Sequence, residues 1–272
     1  MSSNFFYTLN EAYQHVLYDV TYSPQYTCSP RGLKIREILG YKFTVRCPTD
    51  SPIVTADTER NTVIADYTKA EFKLYDSLTR DAEEYGHASA FWKQIANPDG
   101  TINSAYGYLL WGRKCCGNPT LENFSHQPIN AFCQKDLIAV AHQTDISLRT
   151  PWQWAIETLK ADKDSRQAIM HFNTPDVLWW GNKDVTCTLV AQFMIRNDEL
   201  HLFIDMRSND VVRGLVYDCV WFASLMKKAL TELQPTYPEL KLGNYTHYAH
   251  SMHIYQSQFE IAERMIGPCA QP

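Results

Sequence analysis

Cys187 opens an apolar run, Cys-Thr-Leu-Val-Ala-Gln-Phe-Met-Ile-Arg, and a second run from His201 to Met206 ends in Arg207-Ser208-Asn209-Asp210. Asn197-Asp198-Glu199 between them is a polar turn signal, so the two runs predict a β-hairpin. A hairpin sets its outer ends side by side, which brings a thiol and a guanidinium together. The thiolate is the nucleophilic form of cysteine, and a neighbouring cation favours it by lowering the thiol pKa. One pocket could therefore hold both the attacking sulfur and the charge that activates it.

At 272 residues the chain suits one large domain, taken here as residues 1–272, with a sizeable core. A hydrophobic content of 45% and a net charge of −5 exclude a disordered chain and a strongly basic, nucleic-acid-coating protein. No apolar run approaches the ~20 residues that cross a bilayer, and the first residues lack the basic and apolar regions of a signal peptide. The expectation is a cytoplasmic protein with neither nucleic acid nor membrane as partner. Eight scattered cysteines are expected to be reduced and mostly buried. Cys115, Cys116, His126 and Cys133 match no zinc spacing, so no metal is expected.

The positioning elements follow from periodicity. Tyr7 to Tyr22 reads as a helix with Ala12, Val16, Leu17 and Val20 on one face. Ile35 to Val45 is strand-like, with Gly40 a turn or bulge, and Lys69 to Leu78 is helical. Asn97-Pro98-Asp99-Gly100 is a turn, and residues 112–136 read as a surface insertion. Pro151 suits the first turn of a helix reaching about Lys160. Gln167 to Phe172 is a strand, and Cys219 to Leu233 a buried helix. Helices alternating with strands around a hairpin predict an α/β domain built on a mixed sheet.

Several short segments then stand in a telling order: Asp99 through Gly107, Ser165-Arg166, Cys187 with Gln192, Arg207 through Asp210, Gly214, and His253-Ile254-Tyr255. In this order and spacing, over roughly residues 30 to 260, the chain resembles the thymidylate synthase family, and within it the phage deoxycytidylate hydroxymethylases. The resemblance implies a thymidylate synthase-like α/β fold, a large twisted mixed sheet packed with helices, and a sheet-to-sheet homodimer. It also implies 5,10-methylenetetrahydrofolate as co-substrate.

Carried over residue by residue, the resemblance makes Cys187 the nucleophile that adds to pyrimidine C6, and Glu71 the general acid/base. Arg31, Arg166 and Arg207 match phosphate-binding arginines, whose forks suit a phosphate dianion. Arg166 is expected to reach across from the partner subunit. Gln167 stands where a second arginine is common, which weakens one phosphate contact. Ser208 matches a phosphate contact, and His253 with Tyr255 a sugar contact; two residues apart on a strand, that pair shares one face. Trp92, Tyr106, Asp210 and Gly214 fall where the family meets its folate.

Asp218 bears on the base. Thymidylate synthases carry Asn at the matching position, which complements uracil. Cytosine instead presents an N4 amino donor and an N3 acceptor, and a carboxylate accepts from N4–H. If N3 is protonated, Asp218 can accept there as well, and the ring becomes a better electrophile. Both family outcomes begin with sulfur at C6 and a one-carbon unit gained at C5; hydride then gives a methyl group and water a hydroxymethyl group. Thr188 stands where a histidine usually follows the nucleophile, and only seventeen residues follow Tyr255. Both departures predict a wetter site.

The expected activity is a transferase making 5-hydroxymethyl-deoxycytidylate, phage-encoded and serving DNA modification. The alternatives are a deoxycytidylate methyltransferase, a cytidylate hydroxymethylase, and a catalytically silent nucleotide- or RNA-binding relative.

Overall fold

A computed structural model describes residues 4–46, 48, 51–114, 116–117 and 148–266. Most of the 112–136 stretch, with Cys115, His126 and Cys133, lies outside the described residues. In chain order the elements are β1 (Phe5–Phe6), α1 (Leu9–Tyr22), β2 (Tyr26–Cys28), β3 (Ile35–Val45), α2 (Thr58–Ser77), α3 (Ala82–Ala88) and α4 (Phe91–Ile95). After a π-helical turn, Tyr108–Gly112, come β4 (Cys116–Gly117), β5 (Leu148–Arg149), α5 (Pro151–Ala161), β6 (Ile169–His171), β7 (Thr188–Arg196), β8 (Glu199–Met206) and β9 (Asn209–Asp210). A second π-helical turn, Val211–Leu215, leads into α6 (Val216–Leu233), followed by β10 (Lys241–Tyr255) and α7 (Phe259–Met265).

The helices start where side chains take up free backbone N–H groups. Thr8 and Glu11 form a capping box on α1, and Thr150 and Gln153 form another on α5, with Pro151 in its first turn. Asp57 accepts from the Arg60 N–H and starts α2 eleven residues before the helix read from sequence.

One mixed sheet carries the domain, in the order β1-β3-β10-β8-β7-β6, with β2 beside β3 and β9 beside β10. The β7–β8 hairpin is as expected. Its turn is tighter than Asn197-Asp198-Glu199: Asn197 and Asp198 alone form it, at φ of 50° and 58°, and Glu199 already pairs with Arg196. At Gly40 the φ of 65° kinks β3 without shifting its register against β10. The expected strand at 167–172 is shorter, Ile169–His171.

Helix α1 packs on β3 and β10, α6 on β8 and β10, and α5 on β6 and β7. Leu200, Leu202, Ile204 and Met206 of β8 are buried, whereas Phe203 between them is 40% exposed and Leu39 on β3 50%. Alternation therefore gives the sheet one packed face and one face with apolar residues in the open.

Candidate active site

The nucleophile's corner is built by β7 and β8. Pairing runs to the end of the hairpin, where the Arg207 N–H donates to the Cys187 carbonyl at 2.9 Å. The β7–β8 register shifts between Thr188 and Val190, a bulge directly after Cys187 of the kind that re-aims side chains beside active sites. Arg207 Nη2 lies 3.6 Å and Ser208 Oγ 3.9 Å from Cys187 Sγ. The guanidinium is held by the Val185 carbonyl at 2.6 Å and the Thr186 carbonyl at 3.2 Å.

The thiol pKa nonetheless runs against the sequence expectation. Burial pushes it up, Arg207 pulls it down, the Asp218 charge raises it, and the outcome is above the ordinary value. The cation acts in the expected direction but does not outweigh desolvation. Elsewhere in the chain Cys219 is buried, as expected of most of the thiols, and Cys28 is exposed.

The second corner hangs from helices. Glu71, in the middle of α2, is buried at 6% exposure. Burial and then the Asp218 charge raise its carboxyl pKa to about 8, while hydrogen bonds from Tyr75 and Tyr67 act the other way. Tyr67, one turn earlier, donates to Glu71 Oε1 at 3.2 Å and accepts the Trp92 indole N–H at 3.0 Å. Asp218 sits in the first turn of α6. Burial raises its pKa to about 7, a hydrogen bond from Asn209 opposes this, and Asp210 adds to it. That bond runs from Asn209 Nδ2 to Asp218 Oδ2 at 2.7 Å.

Strand β10 joins the two corners, since β9 pairs with it at Met252 and His253. Tyr255 is two residues further on the same face as His253, and their rings meet edge to face at 5.1 Å.

Gly214 matters for space. A Cβ there would lie 3.3 Å from Asp218 Oδ2 and 3.6 Å from Asn209 Oδ1, so its bare backbone keeps the acidic corner open. Asp210 caps the second π-helical turn: Oδ1 accepts from the Val212 and Arg213 N–H groups, and Oδ2 from Gln258 Nε2 at 2.8 Å. Trp92 and Tyr106 are 9% and 5% exposed. The Tyr106 hydroxyl lies 2.8 Å from Thr188 Oγ1, and its ring stacks on Tyr75.

The structure thus gathers Cys187, Arg207, Ser208, Asp218 and Glu71 through direct contact or mutual charge. It leaves Arg31 and Arg166 exposed, with no hydrogen bond to that group among the described residues. Arg31 has a left-handed φ of 52° in a turn before β3. Arg166 lines a surface groove with Arg149, Trp154, Glu157 and Gln167, and its carbonyl accepts from Gln192 at 2.7 Å. Sequence reasoning missed Tyr67 and the role of Asn209 as a donor to Asp218. The available signals were the spacing of Tyr67 one helical turn from Glu71, and an amide inside the Arg-Ser-x-Asp segment. Among the described residues, no group of three or more His, Cys, Asp or Glu is placed to hold a metal, and no helix is long and apolar enough to cross a membrane.

The thymidylate synthase family model matches residues 11–270, and the chain belongs to that family. Within it, the deoxycytidylate 5-hydroxymethyltransferase of Enterobacteria phage T6 is 25% identical over 239 residues, 85% of this chain and 80% of that protein. The phage T4 protein of the same name is 24% identical over the same shares. The deoxyuridylate hydroxymethyltransferase of Bacillus phage SP01 is 31% identical over 106 residues, 38% of this chain and 26% of that protein. Among solved structures, thermostable thymidylate synthase A from Bacillus subtilis superposes with a TM-score of 0.61 at 17% identity. That superposition covers 94% of this chain and 83% of the synthase, a likeness of fold.

Proposed function

We propose that this protein transfers a one-carbon unit to C5 of deoxycytidylate and delivers 5-hydroxymethyl-deoxycytidylate for modified phage DNA. The observation that carries this is the carboxylate at Asp218, fixed by Asn209 and within electrostatic reach of Cys187. The phage T6 and T4 relatives, similar over most of their length, support the same substrate and product.

Each residue has a task. The Arg207 fork, with Ser208 beside it, receives the 5′-phosphate and sets the ring over Cys187. Sulfur bonds to C6, and the displaced electron pair makes C5 nucleophilic. Asp218 accepts the N4 amino group and, when N3 carries a proton, that proton as well. Uracil would set O4 against the carboxylate without a donor, a mismatch of roughly 1–3 kcal/mol in a buried site. Glu71, protonated at neutral pH by its raised pKa, holds the proton for transfers at the ring. His253 and Tyr255 take the sugar hydroxyl.

The resident chemistry suits a folate. The space that a Gly214 Cβ would fill adjoins Asp218 and Asn209, and Asp210 offers carboxylate lone pairs beyond its capping bonds. Trp92 and Tyr106 are nearly covered, so neither offers an open stacking face. Bound there, 5,10-methylenetetrahydrofolate supplies the one-carbon unit.

Arg31 and Arg166 complete the phosphate site in a homodimer formed through the open sheet face, with Arg166 given to the partner. Two measurements test the proposal. Mass analysis of deoxycytidylate incubated with methylenetetrahydrofolate should show CH2O added to the base; addition of CH2 would establish methyl transfer instead, and no addition would end the proposal. Mixing the inactive Arg166→Ala and Cys187→Ala proteins should restore activity in hybrid dimers, and a mixture that stays inactive would sink the shared site.

A further inference from the structure

We infer that Asp184 is the positioning residue that aims Cys187: its carboxylate clamps the loop before the nucleophile onto residues 103–106, a segment that lies against the helix bearing Glu71. The inference rests on the reading of Cys187 as nucleophile and adds to it a residue that acts through the backbone.

From the end of β6 at His171 to Cys187 the chain has no regular element except a 3-10 turn at Pro175–Val177. Leu178, Trp179 and Trp180 are exposed, so apolar packing does not hold this stretch. Between Val177 and Thr186 the one buried residue is Asp184, at 3% exposure. A carboxylate is costly to bury unless donors meet it. Here they do: Oδ2 accepts from the Asn103 N–H at 2.5 Å and the Ser104 N–H at 2.9 Å, and Oδ1 accepts from the Ser104 hydroxyl. The Asp184 carbonyl accepts from Asn103 Nδ2 at 3.0 Å, and its N–H donates to Asn182 Oδ1 at 2.8 Å.

The same segment grips the chain on the other side of the sulfur. The Tyr106 hydroxyl lies 2.8 Å from Thr188 Oγ1 and accepts the Thr188 N–H at 3.3 Å. Cys187 is thus bracketed by two attachments to residues 103–106. That segment is fixed in its turn. The Ile102 N–H donates to the Arg80 carbonyl at 2.8 Å, and Arg80 Nε donates to the Ile102 carbonyl at 3.0 Å. A Cβ on Gly107 would overlap the Tyr75 carbonyl, so the segment meets the α2 backbone directly, one helical turn after Glu71. The bridge therefore ties the loop of the sulfur to the helix of the proton-holding carboxyl.

Aim matters because sulfur must meet C6 along one direction, and a misplacement of about 1 Å costs on the order of 10²-fold in rate. Electrostatics gives Asp184 no other use at this place. Burial first, and the Asp184 charge last, raise the Cys187 thiol pKa, the wrong sign for an activating group. The contribution of Asp184 is geometric.

The test compares Asp184→Ala with Asp184→Asn in the full-length enzyme, using deoxycytidylate and methylenetetrahydrofolate. Alanine removes all three side-chain bonds. Asparagine can keep them, its oxygen accepting from the two N–H groups and its NH2 donating to Ser104 Oγ, while the charge is lost. In Asp184→Ala, kcat should fall about ten- to a hundredfold with KM for deoxycytidylate within about threefold. Asp184→Asn should regain most of that loss. Alkylation of Cys187 by iodoacetamide at pH 8, followed on its peptide by mass spectrometry, should be no slower in Asp184→Ala than in the parent, since the sulfur is misaimed rather than inactivated. Where Asp184→Ala fails to fold, Ser104→Ala removes a single bond and should lower kcat severalfold, with KM and alkylation kept.

Turnover that stays at the parent value, a loss confined to KM, an Asn variant as slow as the Ala variant, or alkylation that slows in step with kcat would each overturn the inference. Cys187→Ala separates the two levels. If it is inactive while Asp184→Ala turns over normally, the role of Asp184 alone fails; if it still turns over, the reading of Cys187 falls and this inference with it.

Discussion

Cys187, Arg207 and Ser208 hang from the ends of two paired strands, whereas Glu71, Tyr67 and Asp218 project from helices; Glu71 is buried, and Tyr67 and Asp218 are partly exposed, as Cys187 is. At the strand ends, backbone carbonyls aim the Arg207 guanidinium and a cation stands 3.6 Å from the sulfur. On the helices two carboxyls, Glu71 and Asp218, have no cation bonded to either among the described residues, and their pKa values rise to about 8 and about 7. The strand-borne corner is thus arranged to hold negative charge on a ligand. The helix-borne corner is arranged to hold protons. Under the proposed function, a substrate between them would have its phosphate at the charged end and its base at the proton-storing end.

The largest expected effect lies at the strand ends. Cys187→Ala should abolish turnover while leaving nucleotide binding within about tenfold, because sulfur contributes a bond that forms only during reaction. Product analysis with calorimetric binding checks this, and residual turnover would remove Cys187 from its role. On the helices, Asp218→Asn should move preference toward deoxyuridylate by roughly tenfold or more in relative kcat/KM, since an amide can pair with O4 and N3–H.

Glu71→Gln tests the proton store in two ways. Turnover should fall by about 10²–10⁴-fold, the usual worth of a general acid or base. Stability should also change its dependence on pH. With the folded pKa raised from 4.5 to about 8, the native state binds the extra proton, so stability falls as pH climbs through that window. Urea titrations at pH 5 and pH 8 should show this decline in the parent and a smaller one in Glu71→Gln. Equal slopes would mean that Glu71 is not held protonated.

The smallest effect belongs to Tyr67→Phe. Losing its hydroxyl removes a bond that lowers the Glu71 pKa, so the basic limb of the kcat/KM profile should move to higher pH. The Trp92 N–H also loses its acceptor, at about 1–3 kcal/mol of stability. A profile that does not move would separate Tyr67 from the proton store.

Legibility in the sequence followed the same division. The hairpin and its cluster were readable because Asn197-Asp198 is a local turn signal and strand alternation is a local pattern. Asn209 was visible as a letter, but its bond to Asp218 spans the second π-helical turn and depends on how that turn folds back. Strand β10 was read only at its His253–Tyr255 end, although it is central in the sheet. Its Asn244, Thr246, His247, His250, Ser251 and His253 give no apolar alternation. They are tolerated because partners lie across the sheet or along the strand: Thr44 Oγ1 is 3.1 Å from Thr246 Oγ1, and the Tyr245 hydroxyl 2.6 Å from His247 Nδ1. The early part of α2 escaped notice because Thr58 to Lys69 is largely polar and only the Asp57 cap marks its start.

By itself, the sequence determined what is encoded in neighbours along the chain: helix caps, turn residues, alternating strands, and the residue types able to attack, to bind phosphate or to read a base. Tertiary structure alone decided the electrostatics. A side-chain carboxylic acid is weaker among buried neighbours than in water, and the Cys187 thiol is raised by burial more than Arg207 lowers it. Desolvation depends on everything that packs around a group, most of it distant in sequence, so no local pattern can state it.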